Sequence, residues 1–218
     1  MACASTVGPG TSGTTSPGAD AIRYVALGDS YTIGTRVGQN DRWPNQLAAT
    51  LGDSVPLGLV ANLGVNGYTS DDLIRDELPE LRELEPGFVS ILIGVNDVVQ
   101  RVSIERYRAN VEQILGEVLA VVPRERIVVV ATPDYTRTPR GADFGDIDEQ
   151  RAGIQAVNEV MRAEAAERGI AFVDITPMAD QAGTDRTLVA TDLLHPSGAQ
   201  YALWVELIAP VIEELLAD

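Results

Sequence analysis

This chain has one histidine, one cysteine and no lysine in 218 residues. Each scarcity removes some chemistry. A Walker A loop needs a lysine on the phosphates, so nucleotide handling by that motif is excluded. With Cys3 alone there is no internal disulfide and no Cys/His zinc site. Histidine is the side chain that titrates near neutrality, so any histidine-dependent proton transfer falls to His195. Positive charge is scarce too: all 16 cationic residues are arginines, against 32 acidic ones, for a formal net charge of -16. Such a surface repels phosphate backbones, which argues against a nucleic-acid partner. The composition fits salt adaptation and the codon bias of a GC-rich genome equally well. No run reaches the 18 or so apolar residues of a transmembrane helix, so none is expected.

What is present is a hydrophobic content of 45%, enough for one domain with a sizeable core. Residues 1–20 stand apart. Residues 4–20 are rich in Ser, Thr, Gly and Pro and read as a flexible tail or tether. Met1-Ala2-Cys3 in front of them resembles the processed start of a bacterial lipoprotein, with a lipid tether at Cys3; an ordinary N-terminus is the equal alternative. The expected location is accordingly the cell envelope or outside the cell, with the cytoplasm as the other reading. The domain is expected over residues 21–218.

Within it, β-type and helical patterns alternate. Short apolar runs at 22–27, 57–63, 88–93, 127–131 and 170–173 predict five strands. Helical spacing covers 43–51, 70–84, 104–122 and 148–168, with Ser70 as an N-cap and a break at Pro79. A last helix is expected from Ser197 to about Leu216, opened by a Ser197/Gln200 capping box and bent at Pro210. Alternation of this kind implies a parallel sheet with helices on both faces, and ligands bound outside the carboxyl ends of the strands.

The polar residues follow that rule. Gly28-Asp29-Ser30-Tyr31 closes the first strand, the segment from Asn62 to Gly67 the second, and Gly94-Val95-Asn96-Asp97 the third, while Asp192-Leu193-Leu194-His195 lies beyond the fifth. Ser30 is a weak nucleophile unless a base takes its proton, and His195 is the base available, oriented by Asp192. The oxyanion of acyl transfer needs donors: the Ser30 N–H, a closely approaching Gly67 N–H and the Asn96 side-chain amide qualify. Asp29 and Asp97 are read as turn-shaping hydrogen bonders. These four blocks, in this order, resemble the SGNH (GDSL-type) hydrolase family from residue 22 to the C-terminus. The resemblance implies a flavodoxin-like three-layer α/β/α sandwich on a five-stranded parallel sheet, a catalytic triad of Ser30, His195 and Asp192, and no cofactor.

Other features have plainer readings. A second Gly52-Asp53-Ser54 follows a helix and precedes a strand, which puts it on the opposite edge as a helix-ending turn. Asp143, Asp146 and Asp148 lack EF-hand spacing and read as a solvated loop, with no metal site. Trp43 and Trp204 read as core. Residues 132–146 form a long loop on the active edge, from which Tyr135, Arg137 and Phe144 are candidates to line the substrate site. The expected substrate is a small, neutral, short-chain ester. Alternatives are a carbohydrate O-acetylester, a lysophospholipid or a thioester, and, from another class, a non-catalytic binding module.

Overall fold

Alternation of period two along the strands divides this protein into layers. The computed structural model describes residues 21–52 and 54–217; the tail and Cys3 lie outside them. Five strands, β1 (Ile22–Gly28), β2 (Leu57–Asn62), β3 (Phe88–Leu92), β4 (Ile127–Val130) and β5 (Ala171–Val173), form one sheet in the order β2-β1-β3-β4-β5. Every pair is parallel. The described helices are α1 (Ser30–Ile33), α2 (Trp43–Leu51), α3 (Ser70–Asp72), α4 (Leu78–Glu83), α5 (Val95–Val99), α6 (Ile104–Leu119), α7 (Ile147–Glu167), α8 (Thr176–Ala179) and α9 (Gly198–Leu215).

Tyr24, Ala26, Phe88, Leu92, Val128 and Val130 point to one face and pack with Trp43 and Leu47 of α2 and Trp204, Ile208 and Ile212 of α9. Val25, Leu27, Val89, Ile91, Ile127 and Val129 point to the other, against Val111, Ile114 and Leu115 of α6 and Val157, Val160 and Met161 of α7. Both faces of the central strands are dry, which is why their sequences are continuously apolar rather than alternating with polar residues. The result is the three-layer α/β/α sandwich. No helix among the described residues is long and apolar enough to cross a membrane. Trp43 and Trp204 are fully buried, as core residues should be.

Two local expectations are corrected, and the break expected at Pro79 is given its form. Thr69, not Ser70, caps α3: Thr69 and Asp72 form a reciprocal capping box, and the Ser70 hydroxyl is instead hydrogen-bonded to Asp97. The break near Pro79 takes the form of a π turn over Leu73–Glu77, with Pro79 in the first turn of α4. In a continuous α-helix the proline ring would clash with the Arg75 carbonyl, and widening the preceding turn relieves this. At the last helix Ser197 is the N-cap, but only half of the capping box forms. The Gln200 side chain donates to the Ala179 carbonyl at 2.9 Å, and the Ser197 N–H goes to Leu188 O at 2.8 Å. The helix runs on through Pro210 to Leu215.

Candidate active site

The carboxyl ends of β1, β2 and β3 carry the first three polar blocks to one edge. At the end of β1, Gly28 has φ 146° and a Cβ on it would lie 2.1 Å from Leu92 O, so only glycine lets the strand pass its neighbour here. Asp29 then caps α1, its Oδ1 accepting from Tyr31 N at 2.9 Å. This fixes Ser30 as the first residue of a one-turn helix, 7% exposed. The Ser30 N–H has no acceptor among the described residues, as expected for the first turn of a helix.

The second block is tied to the first. Asn62 Nδ2 donates to Thr32 O at 2.7 Å, and Gly64 packs so closely that a Cβ would sit 2.8 Å from Asp29 O. Gly67 follows with φ 83° and open space where a Cβ would be; its N–H also lacks an acceptor among the described residues. Asn96, on α5, donates through Nδ2 to Tyr68 O at 2.9 Å, which leaves its second amide hydrogen to the site. Asp97 accepts from Ser70 N at 2.9 Å and from the Ser70 hydroxyl, so it anchors the segment that follows Gly67. Asp29 and Asp97 are thus the turn-shaping groups the sequence suggests.

The fourth block closes the constellation. An antiparallel bridge between Val189 and Pro196 closes a short loop that carries Asp192, with His195 at its base, where its carbonyl accepts from Ala190 N at 2.7 Å. Asp192 Oδ2 lies 2.7 Å from His195 Nδ1, and its Oδ1 accepts from the amides of His195 and Leu194 at 3.0 and 3.1 Å. Burial raises the Asp192 carboxyl, but the hydrogen bonds from the His195 ring and these two amides together outweigh it, holding the group below its ordinary range. The His195 ring packs on Tyr31 at 5.6 Å between centroids. Arg36 stands 3.8 Å from Asp192 and is well exposed.

Ser30, Asn96 and His195 line one cavity of about 50 Å³, together with Tyr31, Val95, Val99, Tyr135, Phe144 and Leu194. Among the described residues the Ser30 hydroxyl makes no hydrogen bond, to His195 or any other group. Tyr135 and Phe144 reach the cavity as a T-shaped pair 5.3 Å apart, fixed by a hydrogen bond from the Tyr135 hydroxyl to Gln150. Arg137 does not join them. It pairs with Asp134 and Asp180, both at 3.4 Å, and lines a separate cavity, because two carboxylates on its other side neutralise it there.

Ser54 is far from this edge: its hydroxyl donates to Glu213 at 2.7 Å beside the start of β2. The three loop aspartates are each engaged locally. Asp146 caps α7, Asp143 pairs with Arg140, and Asp148 pairs with Arg151. No group of three or more His, Cys, Asp or Glu that could hold a metal is found among the described residues. Sequence reasoning missed Val95 and Val99, which the spacing of four on α5 puts on one face. It also missed Glu77, for which no sequence signal exists.

Known proteins resemble this chain in sequence and in fold. The family described as "GDSL-like Lipase/Acylhydrolase family" matches residues 26–203. A lipase from Streptomyces rimosus is 26% identical over 193 residues, covering 73% of this chain and 72% of the relative. Among solved structures, an acetylxylan esterase from Geobacillus stearothermophilus is similar in fold at a TM-score of 0.68 and 22% identity, over 88% of this chain and 94% of that one. An alpha/beta hydrolase enzyme from the metagenome of Lake Arreo, Spain, gives 0.69 and 21%, over 89% and 96%.

Proposed function

Because this chain belongs to the GDSL-like lipase/acylhydrolase family and is an ester-cleaving hydrolase, we propose that Ser30, His195 and Asp192 hydrolyse small, short-acyl esters through an acyl-enzyme. In that reading the Ser30 oxygen attacks the ester carbonyl while its proton passes to His195 Nε2. Collapse of the tetrahedral intermediate expels the alkoxide, which takes the proton from His195. Water, deprotonated by the same ring, then releases the acid and restores Ser30. Asp192, bound to Nδ1, fixes the tautomer that leaves Nε2 free to accept. The Ser30 and Gly67 amides and the free Asn96 hydrogen serve the oxyanion. The hydrogen bond between such a pair commonly tightens only when substrate is bound.

One observation carries the substrate class. The cavity beside Ser30 holds about 50 Å³. At roughly 10–15 Å³ for each water-sized group, it takes about four of them, room for an acetyl or propionyl group. Its walls are apolar where an acyl methyl would lie: Val95, Val99, Phe144 and Leu194. The alcohol part must stay on the open side, near exposed Arg36, which leaves room for the bulky polar alcohol of a carbohydrate O-acetylester as a second reading.

A fluorophosphonate probe tests the nucleophile. Ser30 should be labelled and Ser54 left untouched; label on Ser54 alone, or none, removes the assignment. Rates on nitrophenyl esters of rising acyl length should drop steeply beyond three carbons, and comparison with acetylated xylan separates the two alcohol readings.

A further inference from the structure

Two carboxyl groups behind the Ser30 turn have no part in the steps above. Asp29 is completely buried and Glu77 is 2% exposed. Each gives one oxygen to the backbone on a different side of the nucleophile. Glu77 Oε2 accepts from Gly28 N at 2.8 Å, and Asp29 Oδ1 accepts from Tyr31 N at 2.9 Å. The other oxygen of each, Glu77 Oε1 and Asp29 Oδ2, is buried with no hydrogen-bond partner among the described residues.

Among the described residues no basic side chain is hydrogen-bonded or ion-paired to either: Arg75 on the same turn pairs with Asp72 and Asp76, and Arg42 lies towards Tyr201. Around Asp29 stand Glu77, Asp97 of α5, Tyr107 of α6, Tyr201 of α9 and its neighbour Tyr31. Around Glu77 stand Asp29, Asp76 and Glu80. Every one of these groups is acidic or neutral. A buried carboxylate with a bare oxygen and a like-charged neighbour is expensive, whereas the protonated acid is not. Glu77 reaches this place because of the π turn that it ends: the widened turn precedes Pro79, and Glu77 leaves it pointing under the sheet edge at Gly28.

We propose that Asp29 and Glu77 are positioning residues that hold the Ser30 turn while the pair keeps at least one proton, and that its full ionisation in alkali releases the turn and stops catalysis. The device rests on the reading of Ser30 as nucleophile. On ionisation, the acid O–H gives its proton to solvent hydroxide, and the charge left on the bare oxygen repels the neighbouring carboxylate. Burial, the largest cause, raises both groups, Asp29 to about 8 and Glu77 to about 9.

The experiment is a pH profile of kcat and KM on nitrophenyl acetate, background-subtracted, for the wild type and Glu77→Gln. Glutamine keeps a carbonyl oxygen for the Gly28 N–H but cannot ionise. The wild type should lose activity above pH 8 to 9, towards tenfold per pH unit for one proton. Glu77→Gln should keep most of its neutral kcat at pH 9.5, with KM unchanged. Glu77→Leu, which removes the acceptor, should be slow at every pH. An alkaline limb that is the same in the wild type and in Glu77→Gln overturns the proposal.

If Glu77→Gln does not fold, the wild type decides alone. Its rate of fluorophosphonate labelling at Ser30 should fall above pH 9 with unchanged far-UV circular dichroism, and recover on return to pH 7. Labelling that stays flat or rises to pH 10 overturns the device and leaves the nucleophile standing. No label on Ser30 at pH 7 removes the nucleophile reading itself.

Discussion

Asp192 holds His195 by its ring and by its backbone at once: one carboxylate oxygen is 2.7 Å from Nδ1, and the other accepts the His195 amide at 3.0 Å. The imidazole is therefore fixed in both position and tautomer by a single side chain. Asp192→Asn keeps an acceptor for the backbone amides but presents the ring with an ambiguous partner. It should lower kcat on nitrophenyl acetate by about 10⁴, the cost when a triad acid is so changed, with little change in Tm. A loss below tenfold would show that Asp192 does not orient the base.

Asn96 lines the cavity and spends one amide hydrogen on Tyr68 O, with the other uncommitted among the described residues. Asn96→Ala should lower kcat by about 10² to 10³ with a small effect on KM, since the oxyanion exists only in the transition state. An equal change in kcat and in the binding of a ground-state analogue would assign Asn96 to substrate binding instead.

The cavity beside Ser30 is lined by aromatic side chains as well as aliphatic ones. Replacing Phe144 with Ala removes one member of the Tyr135–Phe144 pair and opens that wall. The ratio of kcat/KM for nitrophenyl hexanoate over acetate should rise by about 10- to 100-fold, as each methylene accommodated is worth roughly 1–3 kcal/mol. An unchanged ratio would place the acyl group elsewhere.

Stability should peak at mildly acidic pH. Burial raises Asp97 to about 6, Asp29 to about 8 and Glu77 to about 9. Above the ordinary carboxyl value near 4, the folded chain keeps protons that the unfolded chain has released, so stability declines as pH rises through these values. Asp72, Asp174 and Asp192 act oppositely. Burial raises each, but hydrogen bonds outweigh it and hold them low, so their contribution is lost below about pH 4. Tm at constant ionic strength should be highest near pH 5 and lower at pH 9. A maximum at pH 8 or above would contradict the burial of these acids.

Gly28 should tolerate no side chain. Gly28→Ala puts a methyl 2.1 Å from Leu92 O at a φ that disfavours L-residues. The combined overpacking and backbone cost of about 3 kcal/mol should lower Tm by roughly 6–12 °C. An unchanged Tm would mean that the β1 end relaxes freely.

Most of this architecture was legible in sequence because its signals are local. Short apolar runs marked the strands within a residue or two, and the Gly28-Asp29-Ser30 and Gly94-Val95-Asn96 blocks fell directly at strand ends on one edge of the sheet. What escaped depended on partners distant in the chain. Ser70 looks like a cap, yet Asp97, 27 positions on, takes its hydroxyl. Gln200 completes a capping-box pattern, yet Ala179 O claims its amide. Arg137 lies on the right loop, but Asp134 and Asp180 turn it from the cavity. Glu77 meets Gly28 across 49 positions, through a π turn that no propensity announces.

The bridge between Val189 and Pro196 encloses the acid and the base in one short segment. Asp192 is tied to the His195 ring and amide within the segment that this bridge closes, so the contacts that orient the ring are local to it. The orientation of the ring is thereby independent of the sheet edge that carries Ser30: the contacts that set it lie within eight consecutive residues, 189–196.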